Sequence, residues 1–422
     1  MLLPWRTAEG YSVLTHEQLV DLSWRSTIVP ILQQRFPGIT AAQLTRAHAF
    51  AYGGCAIQDI GYYPFGHEFF SDLTHYVRSG DFVRNLFRNA QTPDELAFAI
   101  GALAHYIGDI VGHSVAVNPS VAIYFPKLRA KYGPSVNYAQ DKHAHVQIEF
   151  AFDVSQIAKL RAAPAAYLRS VGLQVPRNQL TRAFYETYGL DLPEVAGTYR
   201  SVLKSYRFGV RSFLPAIAYA EALLHHSRFP ADGTGPEVDT YKQRVAELAR
   251  DAGWDRYRRT TPSFGTYLLA GLIVILPKIG PLALLSIKGP NAETELLYIK
   301  SVNTSTAALK LRATELATRS ARGPGEVSSD DLAAVLPDRD LDTGARVRPG
   351  GYPLTDKTYA KLLAKITKNP ARPIPTGLKQ NIFSYYADPS APISTRRDAK
   401  KWAAVQQQLE TLRTFPERAE PE

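Results

Sequence analysis

Apolar residues recur at helical intervals along most of this chain, and the period-two alternation of half-buried strands is scarce. Behind Thr15-His16-Glu17 the first such stretch carries Leu19, Val20, Leu22, Val29 and Leu32, with Thr15 as the expected N-cap. A second runs over about 40–52 and is expected to break at Gly53-Gly54; a third spans about 69–89. Thr92-Pro93-Asp94-Glu95 joins a capping residue, a first-turn proline and acidic side chains, so it opens a helix through Leu96 to Val117. Asn118-Pro119 is expected to stop that helix. Residues 141–160 and 175–230 continue in the same style, with Pro176 and Pro193 as punctuation. The pattern predicts an all-α protein.

The C-terminal half divides less evenly. From Tyr267 to Ile287 the chain is mostly apolar, but Pro277, Gly280 and Pro281 interrupt it, so a single spanning helix is not expected. A buried helix pair and an interfacial membrane contact are the two readings. Ser320–Tyr352 is rich in Gly, Pro, Asp and Arg and reads as a linker; Lys357–Lys368, Leu378–Tyr386 and Arg397–Leu412 read as short amphipathic helices. The expected organisation is a large helical domain over 5–319, a linker over 320–352 and a small helical appendage over 353–422. No internal repeat is expected.

With 45% apolar residues in 422, the chain can bury a core, and disorder throughout is excluded. A single cysteine, Cys55, closes no internal disulfide and builds no thiolate zinc finger, so any metal site must use His, Asp and Glu. The chain has 49 Lys and Arg against 39 Asp and Glu, a net +10, which suits an anionic partner such as a phosphate ester, a lipid surface or nucleic acid. Eight of the ten histidines lie in the first 150 residues, where an even scatter would place about three or four.

Within that third, His105, Asp109 and His113 are spaced four and four, so on one helix they share a face. Burying three titratable groups among Leu103, Ile107 and Ile110 without a counter-charge costs roughly several kcal/mol, which favours a metal over an ordinary core. Imidazole and carboxylate are the zinc ligands left when thiolate is absent. His145 and Glu149 repeat the spacing, with His143 as an alternative ligand pointing off their face. Asp59, in a Gly-flanked aromatic loop, is either a helix cap or a ligand and base. Of the two histidines that follow it, His75 on a helical stretch is favoured over His67 in the loop.

In this order, Trp5, His16, Asp59, His75, the His105/Asp109/His113 ladder and the His145/Glu149 pair resemble the zinc-dependent phospholipase C family, which includes the single-strand-specific zinc nucleases. The resemblance runs from Gly10 to Phe152, including Tyr11-Ser12-Val13-Leu14-Thr15-His16-Glu17, and extends to Leu276-Pro277-Lys278-Ile279-Gly280-Pro281. It implies an all-helical phospholipase C/nuclease-like domain around two or three zinc ions. Asp59, His75, His105 and Asp109 would hold one ion. Asp109 would bridge to a second, held by His16 and by the amino and carbonyl groups of Trp5 if that residue became the N-terminus. His113, His145 and Glu149 would hold a third. The Asp109-to-His113 spacing is shorter than in the best-known secreted bacterial enzymes and resembles glycosylphosphatidylinositol-specific phospholipase D, and four residues precede Trp5.

The implied chemistry is hydrolysis of a phosphodiester by metal-activated water, with Asp59 as catalytic base. Tyr62, Tyr63 and Phe65 would form an aromatic wall for a quaternary ammonium headgroup. They could equally be loop packing, or a platform for a nucleic-acid base. The resemblance, the apolar Tyr267–Ile287 segment and the basic balance make a phospholipid the expected substrate, with peripheral membrane contact. Cleavage of single-stranded nucleic acid or another phosphodiester, or zinc-stabilised binding without turnover, are the alternatives. No protein partner is expected. Met1-Leu2-Leu3-Pro4-Trp5 is too short for a complete secretory signal, yet the resemblance implies a secreted or periplasmic protein.

Overall fold

The computed structural model describes residues 13–62, 66–196, 219–222, 224, 233–258, 289–320 and 333–419. The fold is all-α. In the first half the helices are α1 (Val13–Ser23), α2 (Val29–Arg35), α3 (Ala41–Cys55), α4 (Glu68–Tyr76), α5 (Ser79–Arg88), α6 (Pro93–Gly112), α7 (Asn118–Tyr124), α8 (Pro126–Tyr132) and α9 (Lys142–Ala158). They are followed by α10 (Ala165–Val171), α11 (Arg177–Tyr188), α12 (Leu192–Ala196), α13 (Pro236–Asp251) and the long α14 (Ala292–Ser320). The C-terminal region adds α15 (Pro353–Ile366), α16 (Thr376–Tyr386) and α17 (Ala399–Arg413). Among the described residues, extended pairing is confined to Ile374–Pro375 beside Glu417–Arg418 in parallel and to an isolated bridge between Arg339 and Arg346.

Helix α6 is the central element, with α1, α3, α5 and α14 packed around it. It begins as its sequence predicts. Thr92 Oγ1 accepts from Glu95 N at 3.2 Å and Glu95 Oε2 accepts from Thr92 N at 3.1 Å, a reciprocal cap whose loss typically costs about 1 kcal/mol. It does not stop at Asn118-Pro119. A π-helical turn, His113–Val117, carries the helix into α7, where Pro119 sits in the first turn. Proline breaks a helix by removing an N–H and crowding the preceding turn, and the wider π turn removes that conflict. The continuous run Pro93–Tyr124 is long and apolar enough to cross a membrane, but 89% of its apolar window is buried inside the protein.

Nor do Gly53 and Gly54 break α3. They are the points where α3 lies against other backbone: a Cβ at Gly53 would stand 1.7 Å from Gln174 O, and one at Gly54 2.0 Å from Phe98 O on α6. Thr15, expected as an N-cap, lies inside α1, where its hydroxyl donates to Asp153 Oδ1 on α9 at 2.7 Å.

Residues 333–352, expected to be part of a linker, are no exposed spacer. Leu336, Leu341 and Tyr352 are buried, and α15 packs on α4. Apolar side chains from Val335 to Phe415 join the same core as those of α1–α9. The apolar Tyr267–Ile287 segment lies outside the described residues.

Candidate metal centre

The eight described residues that the resemblance singles out as ligands, His16, Asp59, His75, His105, Asp109, His113, His145 and Glu149, are each at most 2% exposed. They come from α1, a 3₁₀ turn at Gln58–Gly61, α4, α6 with its π turn, and α9. Trp5 lies outside the described residues, as do Tyr63 and Phe65. His143 and His67 are exposed on the surface. Clefts of about 330 and 530 Å³ elsewhere on the molecule are lined by none of the eight.

Each ring is placed by its element. His75 Nδ1 donates to Ser71 O one turn back on α4, at 2.8 Å. His105 Nδ1 donates to Cys55 O, the last carbonyl of α3, at 2.9 Å. His113 Nδ1 donates to Leu341 O at 2.7 Å. A carbonyl only accepts, so each bond puts the proton on Nδ1 and leaves the Nε2 lone pair facing the cluster. His16 stacks on His105 with ring centroids 4.1 Å apart. Gly108 makes room for that ring, since a Cβ there would lie 3.1 Å from His16 Nδ1.

What those lone pairs face are more acceptors. His105 Nε2 is 3.0 Å from Asp109 Oδ2, and His75 Nε2 is 3.5 Å from the same oxygen and 3.3 Å from Asp59 Oδ1. His16 Nε2 is 3.2 Å from Asp109 Oδ1, so the two Asp109 oxygens face different histidines. Further along α6, His113 Nε2 and His145 Nε2 lie 3.1 and 2.8 Å from Glu149 Oε1. Three sets could each hold a metal ion, with ligand atoms within 4.8 Å of one another: His16/His105/Asp109, Asp59/His75/His105 and His113/His145/Glu149. The fit is chemical as well as spatial. Ligands about 2.0–2.1 Å from a tetrahedral zinc stand about 3.3 Å from each other, close to the separations found here.

In the metal-free chain, protons take up this charge. Burial alone would lower the pKa of His75, but hydrogen bonds and charges from Asp109 and Asp59 outweigh it and hold the imidazole well above its ordinary value. His105 is raised against burial mainly by the Asp109 and Asp59 charges. His16 is lowered by burial and by the charge of His105. Asp109 is held well below the carboxylate range, burial notwithstanding, by His105 and His113 and by bonds from His105 and His16. Burial drives Glu149 well above it.

Several supporting groups escaped the reading of the sequence. Gly108 was legible in principle, as a missing side chain between two ladder residues. Asp153, which accepts from Thr15 Oγ1 and from Leu14 N at 3.2 Å, locks α1 beside α9 and so sets His16, but it reads as an ordinary helical acid. The carbonyls of Cys55 and Leu341 have no side-chain signal. Of the aromatics after Asp59, Tyr62 is buried with its ring centroid 5.4 Å from that of His75.

Residues 15–196 match the family described as zinc dependent phospholipase C. All eight residues fall inside the matched stretch. No curated protein and no solved structure matches the chain.

Proposed function

We propose that this protein is a zinc-dependent phosphodiester hydrolase that removes the headgroup of a phospholipid in the manner of a phospholipase C. One observation carries the reading: three buried imidazoles, each tethered through Nδ1 to a carbonyl, turn their Nε2 lone pairs towards buried carboxylates. Acceptors facing acceptors in a dry site need cations between them, and the donor set is the nitrogen and oxygen set that zinc takes.

Asp59, His75, His105 and Asp109 would hold one ion, His16 and Asp109 a second, and His113, His145 and Glu149 a third. Bound zinc lowers the pKa of water towards about 7 and neutralises phosphoryl oxygens. Asp59 would receive the proton of the attacking water; its Oδ1 lies 3.3 Å from His75 Nε2 and 3.9 Å from His105 Nε2. Asp109, with Oδ1 facing His16 and Oδ2 facing His105 and His75, would neutralise cations on both sides. The Nδ1 tethers stop the rings from turning and losing their alignment. Tyr62, whose ring centroid lies 5.4 Å from that of His75, would supply the aromatic contact to a quaternary ammonium group.

Zinc counting by native mass spectrometry, followed by one panel of phospholipids and single-stranded DNA, tests the reading. Two or three ions with release of diacylglycerol are expected. Cleavage of DNA without diacylglycerol would move the protein to the nuclease branch. Bound zinc without turnover on either would leave a binding protein, and no zinc uptake would sink the reading.

A further inference from the structure

Two of the three tethering carbonyls come from the matched domain, Ser71 and Cys55. The third belongs to Leu341, 228 residues beyond the His113 ring that it accepts from. Leu341 also donates its own N–H to His75 O at 3.1 Å, so one residue of the C-terminal region touches a candidate ligand of each end of the cluster.

The segment carrying it is seated at several points. Tyr106 Oη donates to Pro337 O and Ser79 Oγ to Arg339 O, both at 2.6 Å, from α6 and α5. On the far side of Leu341, Asn118 Nδ2 donates to Asp342 O at 2.8 Å. The hydroxyls of Tyr76, at 3.0 Å, and Tyr352 both donate to Asp342 Oδ2. Gly344 adopts φ +71°, and a Cβ there would stand 2.7 Å from Ile110 O, so the chain runs directly against α6 one turn before His113.

From this geometry we infer that Leu341 is a positioning residue for the His113/His145/Glu149 group, and that docking of segment 336–344 completes this group as a metal subsite. The inference rests on the zinc chemistry proposed above. A bond from Nδ1–H to a carbonyl fixes the ring's tautomer and orientation and raises the basicity of Nε2. Loss of such a partner typically lowers metal affinity about 10–100-fold. The coupling is reciprocal, so an ion in this subsite holds the segment down.

The test uses the full chain. Asp342→Ala removes the acceptor of the Tyr76 and Tyr352 hydroxyls without touching a candidate ligand. One zinc is expected to weaken about 10–100-fold in chelator competition, the same ion that His113→Ala abolishes, while the others keep their affinity. Asp342→Asn, which retains an acceptor oxygen, should restore the affinity. Wild-type affinities in Asp342→Ala, or equal loss of every ion, would overturn the inference. If that variant does not fold, hydrogen exchange of the wild-type Leu341 amide decides. It should slow on addition of the ion that His113→Ala abolishes, and an unchanged rate overturns the inference. A wild-type chain that takes up no zinc defeats the functional reading instead, a result distinct from either.

Discussion

Nε2 of His75 stands 3.4 Å from Nε2 of His105, and neither ring can turn away because its Nδ1 is bonded to a carbonyl. Two lone pairs at this distance repel unless a proton or a metal ion lies among them. Both rings are fully buried, and the packing tolerates this arrangement only with positive charge present.

Removal of zinc is therefore expected to destabilise the fold as well as silence it. A single ion at about 100 times its Kd contributes about 2.7 kcal/mol, which for a cooperative unit of about 400 residues corresponds to a Tm difference of roughly 3–5 °C. Differential scanning fluorimetry with and without a chelator measures it. A Tm insensitive to chelation would mean that the cluster does not bind metal tightly.

Asp59→Asn should lower kcat by at least about 100-fold with a much smaller change in KM, the signature of a lost base. Zinc should be counted on the same preparation, because Asp59 is also a candidate ligand. Unchanged turnover would remove Asp59 from the chemistry.

The metal-free chain should lose stability as the pH rises. The folded-state pKa values of His75 and His105 lie above their ordinary 6.5, so the stability they contribute is fully present below that value and is lost as the pH climbs through the raised pKa values. Glu149, raised from 4.5, acts in the same sense from lower pH, whereas His16, lowered, acts oppositely below 6.5. Urea unfolding of the zinc-free chain at about pH 6 and about pH 9 should give the lower midpoint at the higher pH. The stabilisation by zinc should grow over the same interval, since binding displaces protons. A zinc-free chain equally stable at both would contradict the assignment.

Gly108→Ala should separate metal binding from folding. Alanine favours a helix over glycine by about 1 kcal/mol, but here its methyl meets the His16 ring and Leu19 Cδ1, 2.9 Å away. The expected variant keeps its helical circular dichroism and binds one zinc more weakly. Gly54→Ala is the contrasting case: its methyl would meet the Phe98 carbonyl of α6, which cannot step aside. A loss of at least about 1–3 kcal/mol is expected by chemical denaturation.

The four-residue spacing of His105, Asp109 and His113, the cap at Thr92 and the helical period of the apolar positions were enough to predict an all-α protein and a ladder of metal-ligand types on one face. Local geometry decides these features, because residues four apart on a helix are neighbours whatever surrounds them. Only the tertiary structure decided that Gly53-Gly54 is a helix crossing and that Asn118-Pro119 is bridged by a π turn. At the glycines, packing against distant backbone outweighs a local preference; at the proline, the wider turn removes the clash. The tertiary structure alone brought Leu341 to His113 as well. A composition rich in Gly, Pro, Asp and Arg reads as a linker. The role of Leu341 lies in a backbone carbonyl, a group every residue carries, so nothing in the amino-acid order marks it.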